Sequence, residues 1–486
     1  MSNAARAAAF IILGSLTLWA QGQPTALELQ ETIDREINAG EVHQYRVSAE
    51  AGQYLYLVFR VFEVDLAFTL SGPDGKPLVN HQADAKERLE DLPWIATAPG
   101  LHALTVSSRS GAPAGRYELS LRNLGSPTSA DRTRTAAFHA FTAGRSLLSE
   151  GRAASTRGAV EKFQESLAGW QRVEDQRWQG RMFHQIAAGW EALGELNKSR
   201  DALLEALPLR RAVGNRYGEA LTLNSLGVFY TNAGDQVKAL DFLTSALALR
   251  REVGDRRGEA VALNNIALVY DHRGEPSRAL EMLQRSLEIR REVNDRRGEA
   301  VTLNNMAAQY RTLGEFQMAL EHHIKALPLR RETADRRGEG ATLNNIGMAY
   351  GSLGESKKAV EYWRQAAAVF EAVGDRRGLA SAFANLAAYQ DDAKEALLLL
   401  DRVLSIRKEI GDRRGQAAVL SDISRAQLKA GDAGKARVTA EAALELARKI
   451  DDRHGIARGL YFAGKAGFQL GQMERAQTLL QESASM

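Results

Sequence analysis

The spacing of apolar positions changes once along this chain. From about Leu27 to Leu124 the period is two. Val42 to Val47 alternates, Tyr54 to Phe59 is a richer run, and Asp65 to Leu70 leads into the turn Gly72-Pro73-Asp74-Gly75-Lys76. Leu92 to Ala96, Leu101 to Val106 and Tyr117 to Leu121 complete the set. Short β-forming runs at about ten-residue spacing, bounded by Gly, Pro and Asp, predict an all-β sandwich of about eight strands. The polar stretch Leu124 to Thr133, with Gly125 and Pro127, reads as a boundary and linker.

Beyond it the period becomes 3.6. Ala260, Leu263, Ile266, Ala267 and Tyr270 share one helical stripe. Gly274 ends that helix, Pro276 opens the next, and Ala279, Leu280, Leu283, Leu287 and Ile289 mark its buried face. Asp255 is placed to cap the first helix, and Arg290 and Arg291 close the second at the negative end of its dipole. The unit then returns. Gly254 to Ala260 reappears as Asn294 to Ala300, Ala334 to Gly340 and Gly374 to Ala380, each 40 residues on. Residues 256–295 and 296–335 match at 21 of 40 positions. A repeated hairpin cannot bury its apolar stripe alone, so it stacks on its neighbours as a solenoid. About nine such units fit into 134–486. Pro208 and Pro328 fall inside second helices, where they predict kinks. The seventh unit has Gln390-Asp391-Asp392-Ala393 where the others turn at Gly-Glu.

Composition adds three points. Hydrophobic residues at 44% and charged residues at 25% fit a folded chain. There are no cysteines, which excludes disulfides, thiolate metal sites and Cys nucleophiles. Residues 23–125 carry nine Lys/Arg against 14 Asp/Glu, a net of −5, and the array is +7. That mild basicity falls short of a nucleic-acid-binding patch, so no nucleic-acid partner is expected. At the N-terminus, Arg6 precedes the apolar run Ala7 to Ala20, and Ala20-Gln21-Gly22 offers small residues for cleavage. This predicts a signal peptide over 1–22, an extracytoplasmic mature protein, periplasmic or secreted, starting at Gln23, and no membrane span in it.

The domain plan is therefore a signal peptide (1–22), a β-sandwich (23–125), a linker (126–133) and a helical array (134–486). The array resembles tetratricopeptide repeats: Leu226-Gly227 with Tyr230, Ile346-Gly347 with Tyr350, and Ala239, Ala279, Ala319 and Ala359 in the second helices carry the likeness. Its 40-residue length resembles the long-repeat, kinesin light chain-like subclass. The resemblance implies a right-handed α-solenoid of helical hairpins, behind the small all-β sandwich. The sandwich resembles the bacterial pre-peptidase C-terminal type through Gly40-Glu41, Ala51-Gly52-Gln53, Pro73-Asp74-Gly75, Pro99-Gly100 and Gly115 to Leu119. The combination resembles exported bacterial proteins that continue into a caspase-like CHAT protease domain, which would begin beyond Met486.

The candidate chemistry lies in an asparagine pair in the first helix of successive units: Asn264-Asn265, Asn304-Asn305 and Asn344-Asn345, with Asn224 and Asn385 as single members. Asn costs about 0.5 kcal/mol relative to Ala within a helix, so its return calls for a use. One amide can donate to and accept from a peptide backbone at once. In kinesin light chain-like repeats the second Asn faces the groove and holds a bound peptide, which the resemblance carries to Asn265, Asn305, Asn345 and Asn385. Ser225 and Asp422 stand at the matching flanking positions. The competing reading is that these amides bridge adjacent repeats. The recurrent arginines (Arg210-Arg211, Arg250-Arg251, Arg290-Arg291, Arg330-Arg331) are expected to pair with carboxylates at helix ends, and the alternative is a basic rim. Asp65, Asp74, Glu90 and Asp91 form a conceivable calcium site, against the reading of turn formers. His322-His323 lacks the spacing that puts two ligands on one helical face. No nucleotide, metal or nucleophile motif is found, so the chain is read as a non-enzymatic scaffold for a protein or peptide partner, without a cofactor. Two rivals stand beside it: the sensing part of a CHAT-type protease, and a sandwich that binds glycan or surface polymer with the array as spacer.

Overall fold

The computed structural model describes residues 24–62, 64, 66–83, 89–108 and 114–486. The proposed signal peptide lies outside the described residues. The chain divides at Asp255 into two compact units, each taken by itself below.

The first unit opens with β1 (Thr25–Ala26), β2 (Thr32–Ile37), β3 (Val42–Ala49), β4 (Tyr54–Phe62), β5 (Leu66–Ser71), β6 (Pro77–Ala83), β7 (Leu89–Ile95), β8 (Gly100–Ser108) and β9 (Gly115–Gly125). They form two sheets, ordered β1-β3-β8-β5-β6 and β2-β9-β4-β7. All pairings are antiparallel except β1 with β3. Phe59 on β4 stacks on Phe68 on β5 at 3.7 Å, so the sheets pack face to face. The two-residue period places Leu55, Leu57, Phe59 and Val61 of β4 in the interior, each fully buried.

Six helices follow in this unit: α1 (Ser129–Ser149), α2 (Ala153–Arg172), α3 (Gln176–Ala192), α4 (Leu196–Ala212), α5 (Arg216–Asn232) and α6 (Gln236–Glu252). The stretch read as a linker, 126–133, already holds the cap and first turn of α1. Thr128 accepts from the Asp131 backbone N–H, and the Asp131 carboxylate accepts from the Thr128 N–H. This reciprocal capping box leaves no free tether there. One apolar core runs from the sandwich into the hairpins, joining Phe59 and Phe68 to Phe138, Phe141, Trp170 and Trp178. Trp170 and Trp178 stack at 4.8 Å.

Three of the four carboxylates considered for calcium are used otherwise. Asp65 is outside the described residues, and Asp74 sits in its exposed turn beside Lys76. Glu90 and Asp91 are not in a loop; they lie in β7, which is buried on both faces. Glu90 pairs in register with Phe59 and so faces the sandwich interior. Arg181 of α3 reaches it with two bonds, of 2.7 and 3.0 Å, and His81 of β6 approaches at 3.1 Å. Asp91, on the opposite face, takes Arg177 and the Trp178 indole N–H, the latter at 3.1 Å. Burial would raise the Glu90 carboxyl, but Arg181 and then His81 outweigh it and hold it well below the usual carboxylate range. Burial pushes the His81 imidazole below its ordinary value, and since an ionised Glu90 can only accept, the His81 Nε2 carries the proton.

The second unit contains α7 (Arg256–His272), α8 (Pro276–Glu292), α9 (Arg296–Thr312), α10 (Phe316–Glu332), α11 (Arg336–Ser352), α12 (Ser356–Ala372), α13 (Arg376–Ala388), α14 (Ala393–Glu409), α15 (Arg413–Lys429), α16 (Ala433–Lys449), α17 (Arg453–Gln469) and α18 (Met473–Ala484). Most have 17 residues; α13 stops after 13, where the Gly-Glu turn is missing. Pro328 ends no helix, since α10 runs past it to the standard length, as α4 of the first unit does past Pro208. In the second unit the charged heptads are the joints between hairpins. Asp295, Asp335, Asp375 and Asp412 each accept from the N–H of the glycine three residues on. Arg290 holds Asp295 at 2.8 Å, Arg330 holds Asp335, and Arg291 and Arg331 reach Glu299 and Glu339 at 2.7 and 2.8 Å. These arginines therefore close joints, as expected of them, and are spoken for within the fold.

Candidate functional site

Within the second unit the asparagines lie midway along the first helix of each hairpin. Leu263 and Ile266, Leu303 and Met306, and Leu343 and Ile346 flank them and are buried. That packing fixes the rotation of each helix, and all the paired asparagines are left half-buried. Val261 and Leu268, three residues to either side of the α7 pair, are exposed. The face is thus apolar with amides set into it, and carries no carboxylate clamp at these positions.

The amides bond to one another across repeats. Asn305 Nδ2 donates to Asn264 Oδ1 at 2.9 Å, and Asn385 Nδ2 donates to Asn344 Oδ1 at 3.0 Å. In each case the second-position Asn of one repeat reaches the first-position Asn of the repeat before, 41 residues back. The bridging reading is therefore realised for Asn264, Asn305, Asn344 and Asn385. It does not exhaust the groups. Each bridging donor keeps its Oδ1 and a second N–H, now held in a fixed orientation. Asn224 belongs to the first unit, where it is half-buried on α5 beside Ser225; Asn265 is half-buried on α7.

The step between α9 and α11 departs from this pattern. Asn304 Nδ2 donates to Thr342 Oγ1 at 2.9 Å, and Asn304 Oδ1 accepts from His323 Nδ1 at 2.6 Å. His323 lies on α10, buried, at the register position that Leu283 and Trp363 occupy in the neighbouring hairpins. Burial, then His322 and Arg311, push its imidazole down to about 4, so it is neutral near pH 7 and can donate from only one nitrogen. His322 bonds its own helix at Met318 O and packs against Tyr310 in a tilted ring contact, so the two histidines do not converge on one point. The sequence offers His323 only as a metal ligand beside His322, with the wrong spacing, and does not mark Thr342 at all. The signal that would have shown the role of His323 is a polar side chain where the repeat register calls for a core Leu; Thr342 repeats Thr222 and Thr302 and carries no such signal.

Toward the end of the second unit the face changes character. Asp422, at the Asn position of α15, is bonded by Arg425 and Arg458 at 3.2 and 2.8 Å. Buried Phe462 takes that position in α17. Arg425, Lys429, Lys465 and the exposed Phe468 line a cleft beside it. Neither α15 nor α17 contains an asparagine. Among the described residues no group of three His, Cys, Asp or Glu side chains could hold a metal ion. No helix among them is long and apolar enough to cross a membrane.

Residues 218–292 and 298–372 match the tetratricopeptide repeat family model. No protein of curated function matches the sequence significantly. Among solved structures, the chain is similar to a signal-transduction ATPase with numerous domains that carries a tetratricopeptide repeat sensor, from Pyrococcus horikoshii. The TM-score is 0.53 at 16% identity, over 68% of this chain and only 52% of that one. It is also similar to the apo form of the quorum sensor NprR from B. thuringiensis, with TM-score 0.51 at 17% identity, over 64% of this chain and 88% of that one. Matched segments, eighteen consecutive helices among the described residues and these neighbours agree: tetratricopeptide repeats, in a tetratricopeptide-like solenoid, follow an N-terminal β-sheet region.

Proposed function

We propose that this chain is an exported, non-enzymatic interaction scaffold that clamps an extended peptide or protein segment along the asparagine-bearing face of α7, α9, α11 and α13. The observation that carries the reading is the amide ladder: Asn305 and Asn385 are locked in orientation by their bonds to Asn264 and Asn344, yet remain half-exposed on an apolar face. Pre-oriented amides lose little entropy when a backbone docks on them. The solved neighbours contribute the fold; that one carries a repeat sensor and another is a quorum sensor is consistent with ligand capture. Export rests on Arg6, the apolar run Ala7 to Ala20 and the small residues that follow.

The test compares wild type with a variant in which Asn265, Asn305 and Asn345 are all Ala, on a peptide array. Loss of binding with unchanged helicity is the expected result. Equal binding by the folded variant removes the groove assignment. A second reading makes the repeats the sensing part of a longer CHAT-type protease. It rests on the sequence resemblance to such proteins; the chain spans about half the length of the Pyrococcus protein it matches. Coding sequence downstream of Met486 that continues in frame into a protease domain would select it.

A further inference from the structure

The ladder has one step that its own rule fails to close. By the 41-residue rule that joins Asn305 to Asn264 and Asn385 to Asn344, Asn345 should donate to Asn304. Both ends of the Asn304 amide are taken instead, one by Thr342 and the other by His323. Thr342 Oγ1 donates to Gly338 O at 2.9 Å, so its lone pairs are what it offers Asn304. That fixes which end of the amide is nitrogen and leaves Asn304 Oδ1 turned to the imidazole. Where the neighbouring hairpins carry Leu283 and Trp363 there is no side-chain donor that could make this bond: Trp363 spends its indole N–H on the backbone O of Asn344, at 3.1 Å. The rearrangement therefore follows from one residue, His323, in the core of its hairpin.

We propose that His323 is a positioning residue which, by holding Asn304, releases the Asn345 amide as the principal anchor for the backbone of a bound peptide. This rests on the groove reading above and locates its centre at α11. Asn345 is half-buried and has neither donor nor acceptor spent within its own chain, whereas Asn305 and Asn385 have each spent a donor on the repeat before. A peptide amide meeting Asn345 finds both an N–H and a C=O, the pair that one residue of an extended chain can satisfy. Met348 follows one turn later, half-buried and flexible, and suits an apolar side chain of variable shape beside that contact.

The test has a part that needs no ligand. In a high-resolution crystal structure of the full chain carrying His323→Leu, Asn345 Nδ2 should move to about 3 Å from Asn304 Oδ1, completing the ladder. An Asn345 that stays unbonded overturns the proposal. Leu is the residue that Leu283 provides one repeat earlier, so the hairpin should keep its fold. The binding part uses an array of random acetylated dodecapeptides. On peptides that wild type retains, Asn345→Ala and His323→Leu should each weaken association about tenfold. Asn305→Ala and Asn385→Ala should weaken it no more than about threefold. Adding Asn345→Ala to His323→Leu should cost nothing further, a non-additivity that a purely structural histidine would not produce. Equal losses at Asn305, Asn345 and Asn385 would leave the groove in place and overturn the special role of Asn345. No loss at any of them, or no retained peptide at all, would remove the groove and this proposal together.

Discussion

Arg181–Glu90 and Arg331–Glu339 are the same chemistry in different surroundings. At the joint between sheet and helix, Glu90 is 1% exposed and Arg181 11%. At the joint between hairpins Glu339 is 5% exposed, but Arg331 is 53%. A pair that water reaches on one side contributes little, since the arginine is nearly as well solvated unpaired. A pair sealed on both sides is costly to break, because the survivor is left charged in a dry site. The repeating arginines of the second unit thus add a little at each joint, while the unrepeated pair in the first unit binds two kinds of secondary structure into one core.

The sharpest way to break this contrast is Glu90→Ala. It should destabilise the first unit by about 3–5 kcal/mol in urea unfolding followed by tryptophan fluorescence, against about 1 kcal/mol or less for Arg331→Ala in the second. Equal costs would mean that burial does not separate the two pairs. Acid sharpens the same point. The folded Glu90 carboxyl is held below its ordinary value of 4.5, so its contribution is complete above that pH and drains away as pH falls below it. The stability gap between wild type and Glu90→Gln should therefore narrow below about pH 4.5.

Within the repeats, packing should matter more than charge. A Cβ on Gly347 would lie 2.6 Å from the Trp363 indole nitrogen, which donates to Asn344 O. Gly347→Ala should cost about 1–3 kcal/mol of stability by overpacking, more than loss of any exposed arginine pair in that unit. The smallest effect is a gain. Ala334 ends its hairpin at φ +52°, in the left-handed region where the sister joints have Gly254 and Gly374. Ala334→Gly should stabilise by roughly 0.5–1 kcal/mol, read as a higher urea midpoint, and a loss would show that the alanine methyl packs usefully there.

Much of this was legible in the chain. The 40-residue return of Gly-Asp-Arg-Arg-Gly-Glu-Ala marks the joints, because the cap, the carboxylate and the left-handed turn residue act within a few positions of one another. The change from period two to period 3.6 separates sheet from helices for the same local reason. The strand content was also readable in β3, β4, β5, β8 and β9. It was less so in β7, where Glu90 and Asp91 interrupt the pattern and suggest a loop; only the arginines of α3, about 90 residues away, make a buried strand of them.

The asparagine face shows the same division. Sequence picked out Asn264, Asn304, Asn305, Asn344, Asn345 and Asn385, and with them Asn224 and Asn265, because an amide recurring in a helix interior stands out against propensity. It could not say which amides face each other. That depends on the stacking of one repeat upon the next, which brings residues 41 apart within 3 Å, and on one buried imidazole that diverts Asn304. Sequence by itself determined the elements, their period and the residue types offered, since those follow from contacts within one turn or one hairpin. Only the tertiary structure decided how polar groups are shared between elements, because desolvation and hydrogen-bond competition are settled by whichever neighbours the fold brings into reach.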